Sequence, residues 1–422
     1  MTTSLPGATA RPREAAMPFI MVTVLIDMMS IGLIVPVLPA LVGTFTGSQT
    51  EQAWWFGAVM FAFSSANFIA SPILGALSDR FGRRPVLLVG FCALSLSFFV
   101  TALATQMWML VVVRLFTGAM QSNASVANAY VADITPPEER ARRFGLLGAA
   151  FGVGFILGPV MGGLLGAIDL RLPFFAAGSL SLVNLLNGWF VLPESLPVEK
   201  RNAINWKAAL NPVASFAALG RLGGVGVLVA VIACSALAQF ILYTTWVLYT
   251  TFKFGWGPLQ NGWSLFTVGI TSAVVQGFLL GRLLKRFSPQ RLAVVGLVSS
   301  TLAYVAYGAA IEGWMMYAII VCNILAFAVP ASIQSIISGA ADATTQGRTM
   351  GAVSGLQSLM AVVAPLLGAP LLGIVSHLPR GDWRIGTPFY FCAFLQLIAL
   401  ALAWMHFSKA RRARLAAAPR AT

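Results

Sequence analysis

The chain has 422 residues, 58% of them hydrophobic and only 9% charged, with mean hydropathy +0.83 and formal net charge +14. A soluble globular domain is about 25% charged, so this composition excludes one. The apolar residues come in runs long enough to cross about 30 Å of hydrocarbon as helices.

Hydropathy, with breaks at charge, proline and glycine, predicts twelve spans. In chain order they are 17–42, 53–76, 85–104, 107–130, 143–168, 172–192, 222–250, 258–281, 291–311, 313–338, 348–376 and 384–407. The expected domains are a cytoplasmic N-terminal tail (1–16), a six-helix half (17–192), a cytoplasmic linker (193–221), a second six-helix half (222–407) and a basic cytoplasmic tail (408–422). The predicted fold class is therefore all-α membrane protein. The polar start MTTSLPGATARPRE runs into the first span without an AxA-like cleavage site, so no signal peptide is expected. Cys92, Cys234, Cys322 and Cys392 lie singly in apolar runs and read as small packing residues.

Charge sorts by loop parity. With the N-terminus inside, 22 of the 27 Lys and Arg fall in cytoplasmic segments. Arg171, Lys253, Arg380 and Arg384 fall in outer loops, and Arg114 alone lies within a span. That segregation is the positive-inside signal and puts both termini in the cytoplasm. It accounts for the basic charge without nucleic acid.

The halves register at an offset of 206 residues: Gly75, Leu77, Arg80 and Phe81 fall on Gly281, Leu283, Arg286 and Phe287. Arg142 and Gly145 fall on Arg348 and Gly351, and Pro159 and Gly162 on Pro365 and Gly368. Parallel six-helix repeats are a plan used for alternating access, with a central site between halves.

Three stretches carry more than packing. GALSDRFGRRP (Gly75 to Pro85) sets Asp79 among Arg80, Arg83 and Arg84, with a tight turn at Gly82. GVGFILGPVMGG (Gly152 to Gly163) places Gly154, Gly158, Pro159, Gly162 and Gly163 along the fifth span. Small-residue spacing of this kind lets helices approach closely. RLFTG (Arg114 to Gly118) puts an arginine inside the fourth span, where snorkelling to an interface is the structural alternative.

GxLxDRxGRRP resembles the loop motif of the major facilitator superfamily, and this copy is complete. The second-half copy, GRLLKRFSPQR, has Lys285 in place of the acid. The resemblance implies that Asp79 and its arginines latch the halves on the cytoplasmic side, with Asp79 facing the start of the eleventh span near Gly347 and Arg348. GxxxGPxxGG resembles the antiporter motif of drug:proton exchangers in that superfamily. RxxxG resembles the motif assigned to proton transfer in these exporters.

The match extends to tetracycline:proton antiporters through DMMSIGLIVPVLP, SDRFGRRPVLL, WVLYTTFKFGW, Gln276, EGW and PASIQS. There are departures. Those exporters carry further acids in spans three and nine and a histidine in span eight. Here Ser97, Ser300 and Ser272 or their neighbours occupy the corresponding places, and His377 and His406 lie at the ends of spans eleven and twelve.

Asp27 is the only one of thirteen acids deep in a span. It lies about ten residues in, or ~15 Å at 1.5 Å per residue. A charge there costs at least about 2.5–3.5 kcal/mol on insertion scales. The expectation is that Asp27 carries the coupling proton and Arg114 modulates it. The structural alternatives are a static Asp27–Arg114 pair, or hydrogen bonds to backbone near Ser30 and Gly32.

The resemblance places the substrate cavity among spans 1, 4, 7 and 10, with help from 2, 5, 8 and 11. The candidate lining residues there are Gln121, Asn123, Phe155, Gln239, Tyr243, Trp246, Gln276, Asn323, Phe327, Gln334 and Gln357. Apolar walls with a few orienting polar groups suit a bulky amphiphilic ligand. The expected partners are a small-molecule substrate and membrane lipid, with the chain monomeric. No metal or cofactor is expected. There is no nucleophile–base set, metal-spaced His/Cys group or Walker loop, which excludes an enzyme and ATP coupling. The fuel is then an ion gradient, and one lone carboxylate suits a proton. The expected function is proton-coupled export of an amphiphilic drug-like molecule from a bacterial inner membrane, tetracyclines among the candidates. The alternative is a metabolite exporter or facilitator of the same superfamily.

Overall fold

The computed structural model describes residues 11–121, 123–201, 206, 226–340 and 346–417. Helix is the only regular structure among them, as expected where lipid offers the backbone no hydrogen bonds. The first half contains α1 (Arg11–Ile34), α2 (Leu38–Gly43), α3 (Gln49–Phe81), α4 (Arg83–Ala102), α5 (Met107–Met120), α6 (Asn123–Ile134), α7 (Arg140–Ile168) and α8 (Leu172–Phe190). The second contains α9 (Gly226–Phe254), α10 (Pro258–Val274), α11 (Leu280–Arg286), α12 (Pro289–Ala309), α13 (Gly313–Cys322), α14 (Val329–Ala340), α15 (Gln346–Val375) and α16 (Thr387–Ala417). A π-helical turn, Val275–Leu279, joins α10 to α11. Prolines sit at the starts of α8 and α12, where a missing N–H costs nothing. Ser288 Oγ caps α12 by accepting from Arg291 N at 3.4 Å.

Among the described residues, nine helices are long and apolar enough to span a membrane, and ten if one bent pair counts as a span. That pair is Gly313–Cys322 with Ile324–Ser338, bent by 47° at Asn323. The fourth predicted span is likewise interrupted: α5 ends at Met120, with Gln121 as its C-cap, and α6 begins at Asn123. The sixth is a single helix, α8, whose hydropathy Asn184 and Asn187 lower.

Two compact units form. One comprises the described residues up to Leu41, those from Ser65 to 201, and Pro258–Trp263. The other comprises Val42–Ser64, the described residues from 226 to Gly257, and those from Ser264 onward. The first unit packs Ile20, Val24, Leu87, Phe91, Ala127 and Tyr130 into an apolar core. The second packs Leu228, Val231, Ala293, Leu297, Ile337 and Ala399. Lys253 is not a loop residue as predicted. It lies in the last turn of α9, only 4% exposed, because its ammonium donates to Gly308 O (2.8 Å) and sits over the Tyr249 and Phe254 rings. A helix C-terminus and aromatic faces both favour a cation. All four cysteines are free thiols.

Candidate functional site

The site is built on the contact between α1 and α7. A Cβ added at Gly154 would lie 2.7 Å from Leu25 O, and one at Gly158 2.8 Å from Met29 O. At Gly162 it would overlap Leu33 O, and at Gly32 it would meet Pro159 Cδ at 2.9 Å. The GPxxGG residues are thus the groove in which α1 lies, backbone against backbone. Gly163 faces another way, toward Pro258 O (2.8 Å) and Gly262 in the same unit. Nearer the arginine-rich end of α7, Gly145, Gly148 and Gly152 have open faces.

That groove fixes the rotation of α1 and so the position of Asp27, which is buried at 4% exposure. Asp27 lines a small cavity with Thr23, Val24, Leu87, Phe91, Ala127 and Phe151. Ser30 Oγ donates to Ile26 O (2.8 Å) in its own helix. Arg114, on α5, is equally buried, and its Nε and Nη2 have no hydrogen-bond partner. It has no ion-pair partner among the described residues, so the static Asp27–Arg114 pair is not the arrangement seen.

The charged loop between α3 and α4 folds around Arg83. Gly82 adopts φ +106°, which L side chains rarely reach, and the Glu194 carboxylate occupies the place of a Cβ. The Arg83 guanidinium bonds Asp79 Oδ1 (2.6 Å), Asp133 Oδ2 (3.1 Å) and Ser78 Oγ (2.5 Å). Its backbone N–H donates to Glu194 Oε1 (2.9 Å). Arg84 donates to Gly188 O (3.5 Å) and Trp189 O (2.5 Å) at the end of α8, and Tyr130 OH to Pro193 O (2.8 Å). Asp79 bonds Arg83 but is half exposed, and Arg80 lies over the Phe81 ring. A Cβ at Gly75 would meet nothing within 4 Å. Asp133 and Glu194 are thus members of the loop cluster that the motif alone did not mark. Asp79 is expected to face the start of the eleventh span near Gly347 and Arg348; residues 341–345 and the side chains of 346–348 there lie outside the described residues.

The substrate-lining candidates separate by surroundings. In the first unit, Gln121 caps the break after α5, where its carbonyl accepts from Asn67 Nδ2 (2.8 Å). Phe155 is 39% exposed. The side chain of Asn123 lies outside the described residues. In the second unit, Tyr243 is 56% exposed and Gln239, one turn before it on α9, is half-buried. Asn323 caps α13 at the bend and accepts from Ser299 Oγ (2.9 Å), with Phe327 half-buried one turn on. Gln334 and Gln357 are exposed, as is Gln276, which bonds Ser272 (2.6 Å). Trp246 is different: it is 5% exposed, donates to Ser264 Oγ (3.0 Å) and packs edge-on against Tyr307 and Phe389. It is core of its unit in this structure, not lining.

Buried ionisable groups on apolar helices, interrupted spans and an arginine-rich loop cluster define a multi-pass membrane protein. The family description "Major Facilitator Superfamily" matches residues 20–365 and 228–422. The class C tetracycline resistance protein of Escherichia coli is 35% identical over 376 residues, covering 89% of this chain and 94% of that one. The human organic anion transporter MFSD10 aligns in structure with TM-score 0.68 and 24% identity, over 94% of this chain and 100% of that one. The nucleoside transporter NupG aligns with TM-score 0.76 and 13% identity, over 93% and 99%. The chain belongs to the Major Facilitator Superfamily. It is a secondary transporter and not an enzyme.

Proposed function

We propose that this transporter exports a small amphiphilic molecule in exchange for protons, by alternating access between two six-helix halves in a bacterial inner membrane. In this reading α5–α6, α8 and α13–α14 complete twelve spans, and both termini are cytoplasmic, as the segregation of Lys and Arg favours. The observation that carries the reading is Asp27. It is the lone acid at mid-span depth, buried, and carried by the helix that lies in the GPxxGG groove. A carboxyl held there binds a proton in one environment and loses it in another, and the coupling needs no more than that. Arg114 is buried with unused donors, and its charge favours the carboxylate in any conformation that brings the two together.

For the substrate, a specific observation favours an organic molecule or metabolite other than tetracycline. Ser97 Oγ donates to Ala93 O (2.7 Å) and Ser300 Oγ to Gly296 O (2.9 Å), each within its own helix. Where tetracycline exporters carry acids, these positions offer no charge. The test is expression in a strain lacking its own exporters, with a compound panel that includes tetracyclines, with and without a proton uncoupler. Uncoupler-sensitive resistance to amphiphilic compounds is the expected result. Resistance that ignores the uncoupler contradicts proton coupling, and uncoupler-sensitive tetracycline resistance contradicts the substrate assignment alone.

A further inference from the structure

We propose that Asp27 exchanges its proton with the arginine-rich side of the membrane through the interior of its own unit, past Thr23 and Asn187, a route that rests on the reading of Asp27 as the proton carrier. Substrate and proton then use different paths.

Thr23 is one helical turn from Asp27 toward that side and on the same face of α1. Both line the cavity between α1, α4, α6 and α7, whose other walls are Val24, Leu87, Phe91, Ala127 and Phe151. The space suits about one water molecule, and the Asp27 carboxyl and Thr23 hydroxyl supply polar partners for it. Thr23 Oγ1 accepts from Asn187 Nδ2 (3.3 Å). Its hydroxyl proton is therefore available to the cavity.

Asn184 Nδ2 donates to Thr23 O (2.9 Å), which ties α8 to α1 at this level. Asn184 Oδ1 is buried and has no hydrogen-bond partner. Two asparagines and an unused acceptor in an apolar bundle are costly as packing alone. Asn187 is half-buried and one turn from the end of α8, where Arg84 binds the Gly188 and Trp189 carbonyls. The polar groups thus run from mid-depth to the arginine-rich rim.

The net step is the transfer of one proton from Asp27 to solvent at the arginine-rich rim. The Asp27 O–H bond breaks, a water in the cavity gains that proton and passes one of its own to solvent water beside Asn187, and the carboxylate remains. The Thr23 hydroxyl orients that water, and Asn187 orients the hydroxyl without itself taking a proton. Thr23 and Asn187 are therefore positioning residues. The charged and titratable groups of the surrounding elements are Arg83, Arg84 and Cys92 of α4, Arg114 of α5, Tyr130 and Asp133 of α6, and Arg140, Arg142 and Arg143 of α7. Arg11, Arg13 and Glu14 lie at the start of α1, and α8 has none. Among the described residues, only Asp27 of the titratable groups lines the cavity.

The test uses the full chain in lipid nanodiscs, without substrate. A pH jump is followed by time-resolved infrared absorption of the protonated carboxyl, with the Asp27 band assigned by its loss in Asp27→Asn. Thr23→Val and the cavity-filling Ala127→Leu are expected to slow the band's response by about tenfold, the upper end for one lost hydrogen bond. Thr23→Ser, which keeps the hydroxyl, is expected to respond as wild type does. Wild-type rates in both Thr23→Val and Ala127→Leu overturn the route, and so does equal slowing in Thr23→Ser. A wild-type protein with no Asp27 band that titrates overturns the carrier assignment itself, a result distinct from the others.

Discussion

Arg83 holds together three carboxyl-bearing segments that are far apart in sequence. Its side chain is 11% exposed, Asp133 is 23% exposed and Asp79 51%. Exposed pairs contribute about 0–1 kcal/mol, whereas removing one partner of a buried pair costs about 3–5 kcal/mol. Asp79→Asn is therefore expected to leave thermal stability within ~1 kcal/mol of wild type. Arg83→Ala is expected to lower the unfolding temperature by several degrees, with Asp133→Asn between them; thermal unfolding in detergent checks the order. Arg83→Lys keeps the charge but loses the fork that reaches Asp79 and Asp133 together, so it is expected to resemble Arg83→Ala. The motif made Asp79, Gly82, Arg83 and Arg84 legible in the sequence. Asp133 and Glu194 were not legible as their partners, because they lie 50 and 111 residues from Arg83 and only the folding of α6 and α8 brings them near. Buried Lys253 was misread for a similar reason: its acceptor on Gly308 is 55 residues away.

At the scale of elements, the α1–α7 contact makes a graded prediction. Gly158→Leu and Gly162→Leu force a side chain into the backbone of α1 and are expected to abolish folded protein, read as loss of the monodisperse peak in detergent. Gly152→Ala meets nothing within 4 Å and is expected to fold normally, with a small gain from helix propensity of up to about 1 kcal/mol. The sequence marked these glycines by spacing, and packing explains why spacing suffices: only one helical stripe faces α1. The interruptions at Gln121 and Asn323 were less legible. Their polar residues were visible, but a polar residue in a span reads equally as an interhelical hydrogen bond. What decides is whether a neighbour satisfies the freed backbone, as Asn67 does for the Gly118 and Gln121 carbonyls at 3.3 and 2.8 Å. Asn67→Leu removes that partner and is expected to cost about 1–3 kcal/mol of stability, measured by thermal unfolding.

At the scale of the whole molecule, the repeat and the charge pattern carried most of what could be read in advance. An offset that serves three separated places, with 22 of 27 basic residues on one loop parity, predicts a helical membrane protein with an internal repeat before any contact is known. The compact units do not follow the repeat boundary. Val42–Ser64 packs in the second unit, where Gly57 closes on Ala369 and Thr50 Oγ1 hydrogen-bonds Ser376 Oγ (2.9 Å). Hydropathy cannot foresee that one helix, α3, divides its length between two bodies. What remains is the claim that a proton on Asp27 powers the cycle. Everted membrane vesicles bearing Asp27→Asn test it directly, with an amphiphilic compound to which the wild-type protein confers uncoupler-sensitive resistance. The expected result is complete loss of uptake driven by a pH gradient, with exchange of labelled for unlabelled compound retained. Uptake driven by the pH gradient at the wild-type rate would contradict the account.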